Sequence, residues 1–382
     1  MNNSRRAAAF VLMRYLATKE FPQKLMVNVE DRSFVQDMVY TAVRRLRALR
    51  AILGQFVKKW PKGELESLLY IGAAQLLYME SVPDFAAVNE TVSAARLSTN
   101  PSVAKVVNAV LRNIIRNRDA ILEKLQQSPA EVRESFPSAL FFRWVSKFGA
   151  KDAAEICAQA NKPALTYLAR KDGSFTSLER GVKVEDVAGY HEGEFIVQDP
   201  ATAAAIELMS PCSGEEVLDY CAAPGGKSIQ MGWRGANVTA LEVNPRRRQV
   251  LEENIKRTRL DIKTIASNAE VEGRLFDGVL VDAPCSNTGV MRRRPDARWN
   301  WNERKLAELV ALQAEILDAA SRFVKPGGKM VYSTCSLETE ENMGAIEGFL
   351  KRHGDFSLVA QKELTPLSTS SDGAFAALLI KK

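Results

Sequence analysis

The second half of the chain alternates β-branched apolar runs with helical patterns, and this alternation limits the fold more than any other feature. Five of these runs are predicted to be strands, namely Glu216–Tyr220, Asn237–Val243, Lys263–Ala266, Phe276–Asp282 and Lys329–Ser333. Two later runs, Phe356–Gln361 and Ala374–Ile380, are predicted to form an antiparallel pair. Alternating strands and helices are typical of a doubly wound sheet. We therefore expect a Rossmann-like α/β domain over residues 199–382.

Three of the five cysteines follow the ends of these predicted strands. They lie in the segments Asp219-Tyr-Cys-Ala-Ala-Pro-Gly-Gly-Lys-Ser228, Val281-Asp-Ala-Pro-Cys-Ser286 and Tyr332-Ser-Thr-Cys-Ser336. Ligands bind at the carboxyl ends of strands in an open parallel sheet, and a thiolate is a strong nucleophile. A lone cysteine of this kind is usually a small buried apolar residue, but several at one edge indicate chemistry.

The cysteine and histidine content indicates neither a disulfide framework nor a metal site. The five cysteines are an odd number and widely spaced, no CxxC pair is present, and the chain has only two histidines. Disulfide scaffolds and zinc sites need closer or more numerous ligands than these. The sequence therefore predicts free thiols and no metal.

The first cysteine segment has the features of a nucleoside-binding turn. Its small residues and glycines let the backbone approach a ligand closely at the start of a helix. The spacing fits neither a P-loop nor a GxGxxG motif. Glu242 ends the next predicted strand, where a carboxylate can accept hydrogen bonds from ribose hydroxyls. Together they favour an adenosine-type cofactor site over a tight turn beside a surface glutamate.

A carboxylate and a run of arginines follow the fourth predicted strand. Asp282, at the strand end, can pair with an exocyclic amine and a protonated ring nitrogen. Arginines and a tryptophan follow, which offer phosphate contacts and a stacking face: Arg292, Arg293, Arg294, Arg298 and Trp299. A solvated loop is the plain alternative for such a run. Its position after Asp282 favours contact with a nucleic acid.

Residues 1–127 are predicted to form a helical bundle. Apolar residues recur at helical spacing from Asp31 to Val57, and further helices are predicted at Glu64–Met79, Phe85–Leu97 and Val103–Gln126. Residues 1–128 contain 19 Lys and Arg against 11 Asp and Glu, whereas the remainder contains 33 against 35. This imbalance favours a polyanionic partner for the bundle, although a solvated basic face is the simpler alternative.

Residues 128–198 are predicted to connect the two parts. Two helices are expected at Ser138–Phe148 and Asp152–Asn161, followed by a small α+β insert with strands at Leu165–Arg170, Val182–Val184 and Phe195–Gln198. No run approaches the roughly 20 apolar residues of a membrane helix. The first apolar run continues as a helical pattern rather than as a signal peptide. We expect a cytoplasmic monomer without membrane contact.

Together, the three cysteine segments resemble the RNA cytosine-5 methyltransferase family, the Nol1/Nop2/Sun group. The family motifs D-x-C-A-A-P-G-G-K-[ST], D-A-P-C-S trailing into R-R-x-P, and Y-S-T-C-S all stand in order here, the last followed by Glu341-Asn342. The N-terminal part resembles a NusB-type RNA-binding domain in Phe85-Ala-Ala-Val-Asn-Glu-Thr-Val92 and Val107-Asn-Ala-Val-Leu-Arg-Asn113. The combination looks like the bacterial small-subunit rRNA methyltransferases of the Sun/Fmu type.

The resemblance implies a class I methyltransferase fold and S-adenosylmethionine-dependent methylation of carbon 5 of a cytosine in 16S rRNA, free or early in assembly. It implies that Cys335 bonds covalently to C6 of the base, that Asp282 holds the N3/N4 edge and that Cys285 releases the product. The cofactor contacts that it implies are Cys221, Ala222, Ala223, Pro224, Gly225, Gly226, Lys227, Glu242, Asn268 and Asp282.

Two residues depart from the family pattern. Asn268 stands where the family commonly has an aspartate that contacts the adenine amino group, so we expect weaker or altered cofactor binding. Tyr220 replaces a small or aliphatic residue in the first motif. A non-catalytic RNA-binding assembly factor is an alternative, but the retained cysteines, Asp282 and Glu242 argue against it. A second alternative is an enzyme that methylates proteins or small molecules, but this function would not explain the two cysteines and the basic domain.

Overall fold

The computed structural model describes residues 3–98, 100, 102–179, 181–369 and 371–382. The chain forms two compact units: unit 1 comprises Met1–Asn161 and Arg294–Asn300, and unit 2 comprises Lys162–Arg293 and Trp301–Lys382. The predicted boundaries at residues 127/128 and 198/199 therefore differ from the observed division. Residues 128–161 join the N-terminal unit, and the small insert belongs to the unit that holds the large sheet.

Unit 1 is helical, as predicted. Two predicted continuous helices are each broken once, at Arg45 and at Asn117. Ser135 Oγ accepts hydrogen bonds from the amides of Arg47 (2.9 Å) and Ala48 (3.3 Å). These bonds satisfy two backbone N–H groups at the start of the helix that follows the break at Arg45. The helices are α1 (Ser4–Thr18), α2 (Pro22–Leu25), α3 (Arg32–Arg44), α4 (Leu46–Leu53), α5 (Glu64–Tyr78), α6 (Asp84–Arg96), α7 (Ser102–Arg116), α8 (Arg118–Gln126), α9 (Ala130–Arg133), α10 (Ser138–Phe148), α11 (Ala150–Gln159) and, from the later segment, α15 (Ala297–Asn300).

The core of unit 1 is built around α5, which is buried on almost every face. Close packing there depends on a glycine: a Cβ on Gly72 would lie 2.6 Å from Leu111 Cδ1 on α7. The polar residues Ser67 and Gln75 on α5 are also buried, and Gln75 donates to the Thr91 hydroxyl at 3.3 Å. The apolar residues that recur at helical spacing in the sequence are therefore buried in the core of this unit.

Unit 2 contains a mixed seven-stranded sheet in the order β6-β5-β4-β7-β8-β10-β9. The last strand in sequence, β10, is antiparallel to both neighbours, and the other pairings run parallel. This confirms the Rossmann-like prediction with an antiparallel end. The strands are β4 (Glu216–Asp219), β5 (Asn237–Leu241), β6 (Lys263–Ile265), β7 (Phe276–Asp282), β8 (Val324–Thr334), β9 (Phe356–Leu364) and β10 (Ala374–Lys381), and the helices are α12 (Ala203–Met209), α13 (Gly226–Trp233), α14 (Pro245–Thr258), α16 (Glu303–Ser321) and α17 (Met343–Arg352).

A second, three-stranded antiparallel sheet precedes the large one. It has the order β2-β1-β3, with β1 at Thr166–Arg170, β2 at Phe175–Leu178 and β3 at Phe195–Val197. The predicted strand at Val182–Val184 was wrong, because β2 forms earlier in the chain. Thr176 and Ser177 in β2 are exposed, so the strand lacks the apolar run by which it could be recognised. None of the helices in the described ranges combines the length and apolar character needed to cross a bilayer.

Candidate active site

The sheet order places the carboxyl ends of β4, β7 and β8 side by side. There, Lys227 Nζ at the start of α13 lies 2.5 Å from Asp282 Oδ2, and Ser333 Oγ donates to Asp282 Oδ1 at 2.7 Å. Burial works against the Lys227 ammonium, but Asp282 outweighs that effect and raises the pKa of Lys227 above its ordinary value. The Asp282 side chain keeps 37% exposure, so a fixed carboxylate faces solvent at this edge.

The two cysteines predicted to be catalytic meet beside this carboxylate. Cys285 Sγ lies 3.2 Å from Cys335 Sγ, and Cys335 Sγ lies 3.3 Å from Asn287 Oδ1. The hydrogen bond with Cys285 and burial both raise the pKa of Cys335 well above its ordinary value. The Cys335 thiol is therefore protonated at neutral pH in this state, and it must lose that proton when it acts as a nucleophile.

A buried glutamate that is not among the predicted site residues joins the two cysteine turns. Glu341 is 0% exposed and accepts hydrogen bonds from the Ser286 amide (2.8 Å), the Ser336 hydroxyl (2.5 Å) and Gln313 Nε2 (3.0 Å). The Ser286 hydroxyl also donates to it. Because Ser286 and Ser336 directly follow the two cysteines, one carboxylate holds both turns. Its only signal in the sequence was the Glu341-Asn342 pair after the third motif.

The predicted cofactor turn is a tight connection that depends on glycine. Residues Tyr220–Gly225 connect β4 to α13, and Gly225 has φ 106°, which strongly favours glycine. A Cβ at Gly225 would also lie 2.8 Å from Leu251 Cδ1. At the start of the turn, Asp219 is buried and accepts from Ser228 Oγ at 2.6 Å, and burial raises the pKa of Asp219 to about 6. Burial likewise raises the pKa of Cys221 to about 12, so Cys221 is a neutral thiol.

The next two strand ends supply the other predicted cofactor residues. Glu242, which is 5% exposed, accepts from the Asn244 amide at 2.9 Å and lies 3.3 Å from Arg247 Nε. Asn268 follows β6 and donates through Nδ2 to the Tyr220 hydroxyl at 2.5 Å. The turn, an acidic residue able to hold ribose hydroxyls and Asn268 therefore lie on consecutive strand ends. This set of residues fits an adenosine-type cofactor.

The arginines predicted to bind RNA have other partners. The prediction that Arg298 binds RNA was wrong. The residue is 0% exposed inside unit 1, where its guanidinium donates to Asn161 Oδ1 at 2.9 Å and lies 3.9 Å from the centroid of the Phe136 ring. A guanidinium has a rigid fork of donors suited to such a buried position. It is not placed to contact RNA.

The three preceding arginines are partly exposed. Arg293 bonds to Asp199 and Asp372, each at 2.6 Å, and Arg294 makes a bidentate pair with Asp296 at 3.0 and 3.1 Å. Arg292 donates to the Pro163 carbonyl at 3.3 Å. The run therefore has a structural role in each unit, and RNA contact by Arg292, Arg293 and Arg294 stays a prediction.

The sheet order, the glycine turn after β4 and the strand-end acids define the class of protein: it is an S-adenosylmethionine-dependent methyltransferase. The family described as 16S rRNA methyltransferase RsmB/F matches residues 206–378, and the NusB family matches residues 2–116. The chain belongs to the RsmB/F family of 16S rRNA methyltransferases, with a NusB domain at its N-terminus.

Full-length relatives support this assignment. Ribosomal RNA small subunit methyltransferase B of Proteus mirabilis is 32% identical, over 99% of this chain and 97% of that protein. The protein of the same name from Vibrio vulnificus is 32% identical over 100% of both chains. The solved structure of PH0851 has a TM-score of 0.79 at 24% identity and covers 99% of this chain and 98% of that chain, which shows the shared fold.

Proposed function

We propose that this enzyme methylates carbon 5 of a cytosine in 16S rRNA through a covalent bond between Cys335 and C6 of the base. The observation that carries the proposal is the pair of thiols, Cys285 and Cys335, 3.2 Å apart beside the Asp282 carboxylate. Carbon 5 of cytosine is a poor nucleophile while the ring is aromatic. Addition of a thiolate at C6 gives C5 enamine character, so a thiol is the group that this reaction needs.

The family resemblance assigns the two thiols different roles. Both are largely enclosed, since Cys285 is 9% exposed and Cys335 is only partly exposed. The Cys335 thiol bonds to the base, and it releases its proton to solvent as the S–C6 bond forms. After the methyl group is on C5, the C5 proton passes to water, the C–H electron pair restores the C5–C6 double bond, and the electron pair of the S–C6 bond returns to the Cys335 sulfur. Cys285, in contact with Cys335 Sγ, would assist that release.

Asp282 would hold the N3/N4 edge of the base. Its two oxygens are fixed by Lys227 and Ser333, so little reorganisation is needed when the base binds. S-adenosylmethionine supplies an electrophilic methyl group when it is bound. The residues that would hold it are the turn from Cys221 to Lys227, Glu242 and Asn268, together with Asp282.

The proposal is tested by identifying the methylated nucleoside. The full chain is incubated with unmodified 16S rRNA and cofactor carrying a deuterated methyl group, and the RNA is digested to nucleosides. We expect the label in 5-methylcytidine. Label on another base, on N4 of cytosine or on ribose would contradict the proposal, and no label would favour the assembly-factor alternative.

Replacing Glu242 should weaken cofactor binding selectively. Glu242 is buried at the carboxyl end of β5, and loss of a buried acceptor for hydroxyl groups costs about 1–3 kcal/mol. Glu242→Ala should raise the dissociation constant of S-adenosylhomocysteine accordingly in calorimetry, with RNA affinity nearly unchanged. Equal loss of both would show that the substitution disturbs the fold and would contradict the assigned role.

RNA affinity is proposed to come mainly from unit 1, which contains a basic groove between α6 and α7. The groove has a volume of about 490 Å³ and is lined by Asn89, Val92, Arg96, Ala104, Lys105, Asn108 and Arg112. No carboxylate lines it, and within the described ranges Arg96, Lys105 and Arg112 form no ion pair. Unpaired cations in a concave surface suit the phosphates of RNA.

Removing the charge of this groove should weaken RNA binding and its salt dependence. The triple variant Arg96→Ala/Lys105→Ala/Arg112→Ala should lower the slope of log K against log salt by about 2 to 3, because each lost phosphate contact removes about 0.7–0.9. Filter binding across a salt series measures both quantities. The matched control is Lys58→Ala/Lys59→Ala/Lys62→Ala, which removes three exposed charges from the segment between α4 and α5. Equal effects of the two triples would exclude a specific role for the groove.

A further inference from the structure

The two residues that depart from the family pattern contact each other. Asn268 Nδ2 donates a hydrogen bond to the Tyr220 hydroxyl at 2.5 Å, although the residues are 48 positions apart. Tyr220 follows β4 and Asn268 follows β6, and β5 lies between these strands in the sheet. The hydrogen bond therefore spans the carboxyl end of β5, where Glu242 stands.

The Tyr220 side chain is held in place by its surroundings. It is 9% exposed and belongs to a core cluster of unit 2, and its ring centroid lies 6.2 Å from that of Phe323. Its amide donates to the Leu280 carbonyl at 2.8 Å. Burial raises the pKa of Tyr220, so the hydroxyl is neutral and can accept a hydrogen bond. Asn268, by contrast, is exposed, and its side chain makes this hydrogen bond to the Tyr220 hydroxyl.

An asparagine at this position has an orientation requirement that an aspartate lacks. A carboxylate has two equivalent acceptor oxygens, whereas an amide has one acceptor and one donor end. To receive an amino group of adenine, the Asn268 side chain must present Oδ1 and not Nδ2. The Tyr220 hydroxyl binds Nδ2, which leaves Oδ1 as the free end of the amide.

We propose that Tyr220 is a positioning residue that fixes the amide of Asn268, so that its oxygen accepts from the adenine amino group of the cofactor. This rests on the proposed cofactor site. The pair Tyr220–Asn268 would thereby replace the family's aspartate, and it would make selection of adenosine depend on a tyrosine hydroxyl.

The test compares two probes, S-adenosylhomocysteine and S-inosylhomocysteine, in which a carbonyl oxygen replaces the adenine amino group. Calorimetry with the full chain gives the ratio of their dissociation constants. In Tyr220→Phe the hydroxyl that holds the Asn268 amide is missing. The amide can then rotate and donate through Nδ2 to the carbonyl oxygen of S-inosylhomocysteine. We expect the preference for the adenosyl probe to fall by about threefold to tenfold, the range of one lost hydrogen bond. Since both probes bind the same folded fraction, a partial loss of folding leaves the ratio unchanged.

The Asn268→Asp background provides the decisive control. There Tyr220→Phe should leave the preference unchanged, because a carboxylate needs no fixed orientation to accept. Tyr190→Phe, which removes a hydroxyl elsewhere in unit 2, should also leave it unchanged. The same preference in Tyr220→Phe as in the native chain, or an equal loss in both backgrounds, would overturn the inference. If Glu242→Ala also binds S-adenosylhomocysteine with normal affinity, the proposed location of the cofactor site is wrong.

Discussion

Cys335→Ala should abolish methyl transfer to rRNA and any covalent RNA adduct, because no nucleophile remains to attack C6. The nearby Cys285, whose Sγ lies 3.2 Å from Cys335 Sγ, is assigned to product release and is not expected to replace it. The measurement is methyl incorporation at saturating RNA, together with a denaturing gel that retains only covalent complexes. Cofactor binding, measured by calorimetry, is the control and should be retained.

Cys285→Ala should have the opposite effect on the adduct. The S–C6 bond forms normally, but the group that assists release is missing, so the covalent complex accumulates while turnover stops. The same gel should show a slowly migrating protein–RNA band for Cys285→Ala and none for Cys335→Ala. A band with Cys335→Ala would reverse the assignment of the two thiols.

Glu341→Ala should disable the site without removing any residue that touches the base. The carboxylate accepts from Ser286, Ser336 and Gln313, and its loss leaves buried donors unpaired at about 1–3 kcal/mol. The two cysteine turns lose their common anchor, and a misplacement of about 1 Å costs about 100-fold in rate. We expect a lower melting temperature and a fall in kcat of at least that size.

Two companion variants separate positioning from a general loss of charge. Glu347→Ala removes an exposed carboxylate from α17, close to Glu341 in the chain, and should change neither stability nor rate. Glu341→Gln keeps one acceptor and should fall between the native chain and Glu341→Ala. A normal kcat in folded Glu341→Ala would show that the cysteine turns hold their positions without this carboxylate.

The sequence predicted most strands of the large sheet, because they are short apolar runs that end at distinct turns, although β8 (Val324–Thr334) begins before the predicted Lys329. Phe276–Asp282 and Pro245–Thr258 have the same bounds in the structure as in the prediction. The meeting of Cys285, Cys335 and Asp282 also followed from strand ends alone, since parallel strands bring those ends to one edge.

Features set by tertiary partners could not be predicted in this way. The break before α4 depends on Ser135, which lies 88 residues after Arg47. Arg298 looked like part of a phosphate-binding run, because nothing local shows that carbonyls and an amide of unit 1 surround its guanidinium. The boundary between the units also depends on contacts between residues that are distant in sequence. A chain starting near Ser128 would therefore cut through unit 1. Point variants are therefore a cleaner test of RNA binding than truncation.

Peptide mapping of the covalent complex shows directly which residue bonds to the base. Cys285→Ala protein is incubated with 16S rRNA and cofactor, digested with protease and nuclease, and analysed by mass spectrometry. We expect one modified peptide, with a methylated cytidine attached at Cys335. Attachment at Cys221 or at any other residue, or a complex that forms without a bond to Cys335, would contradict it.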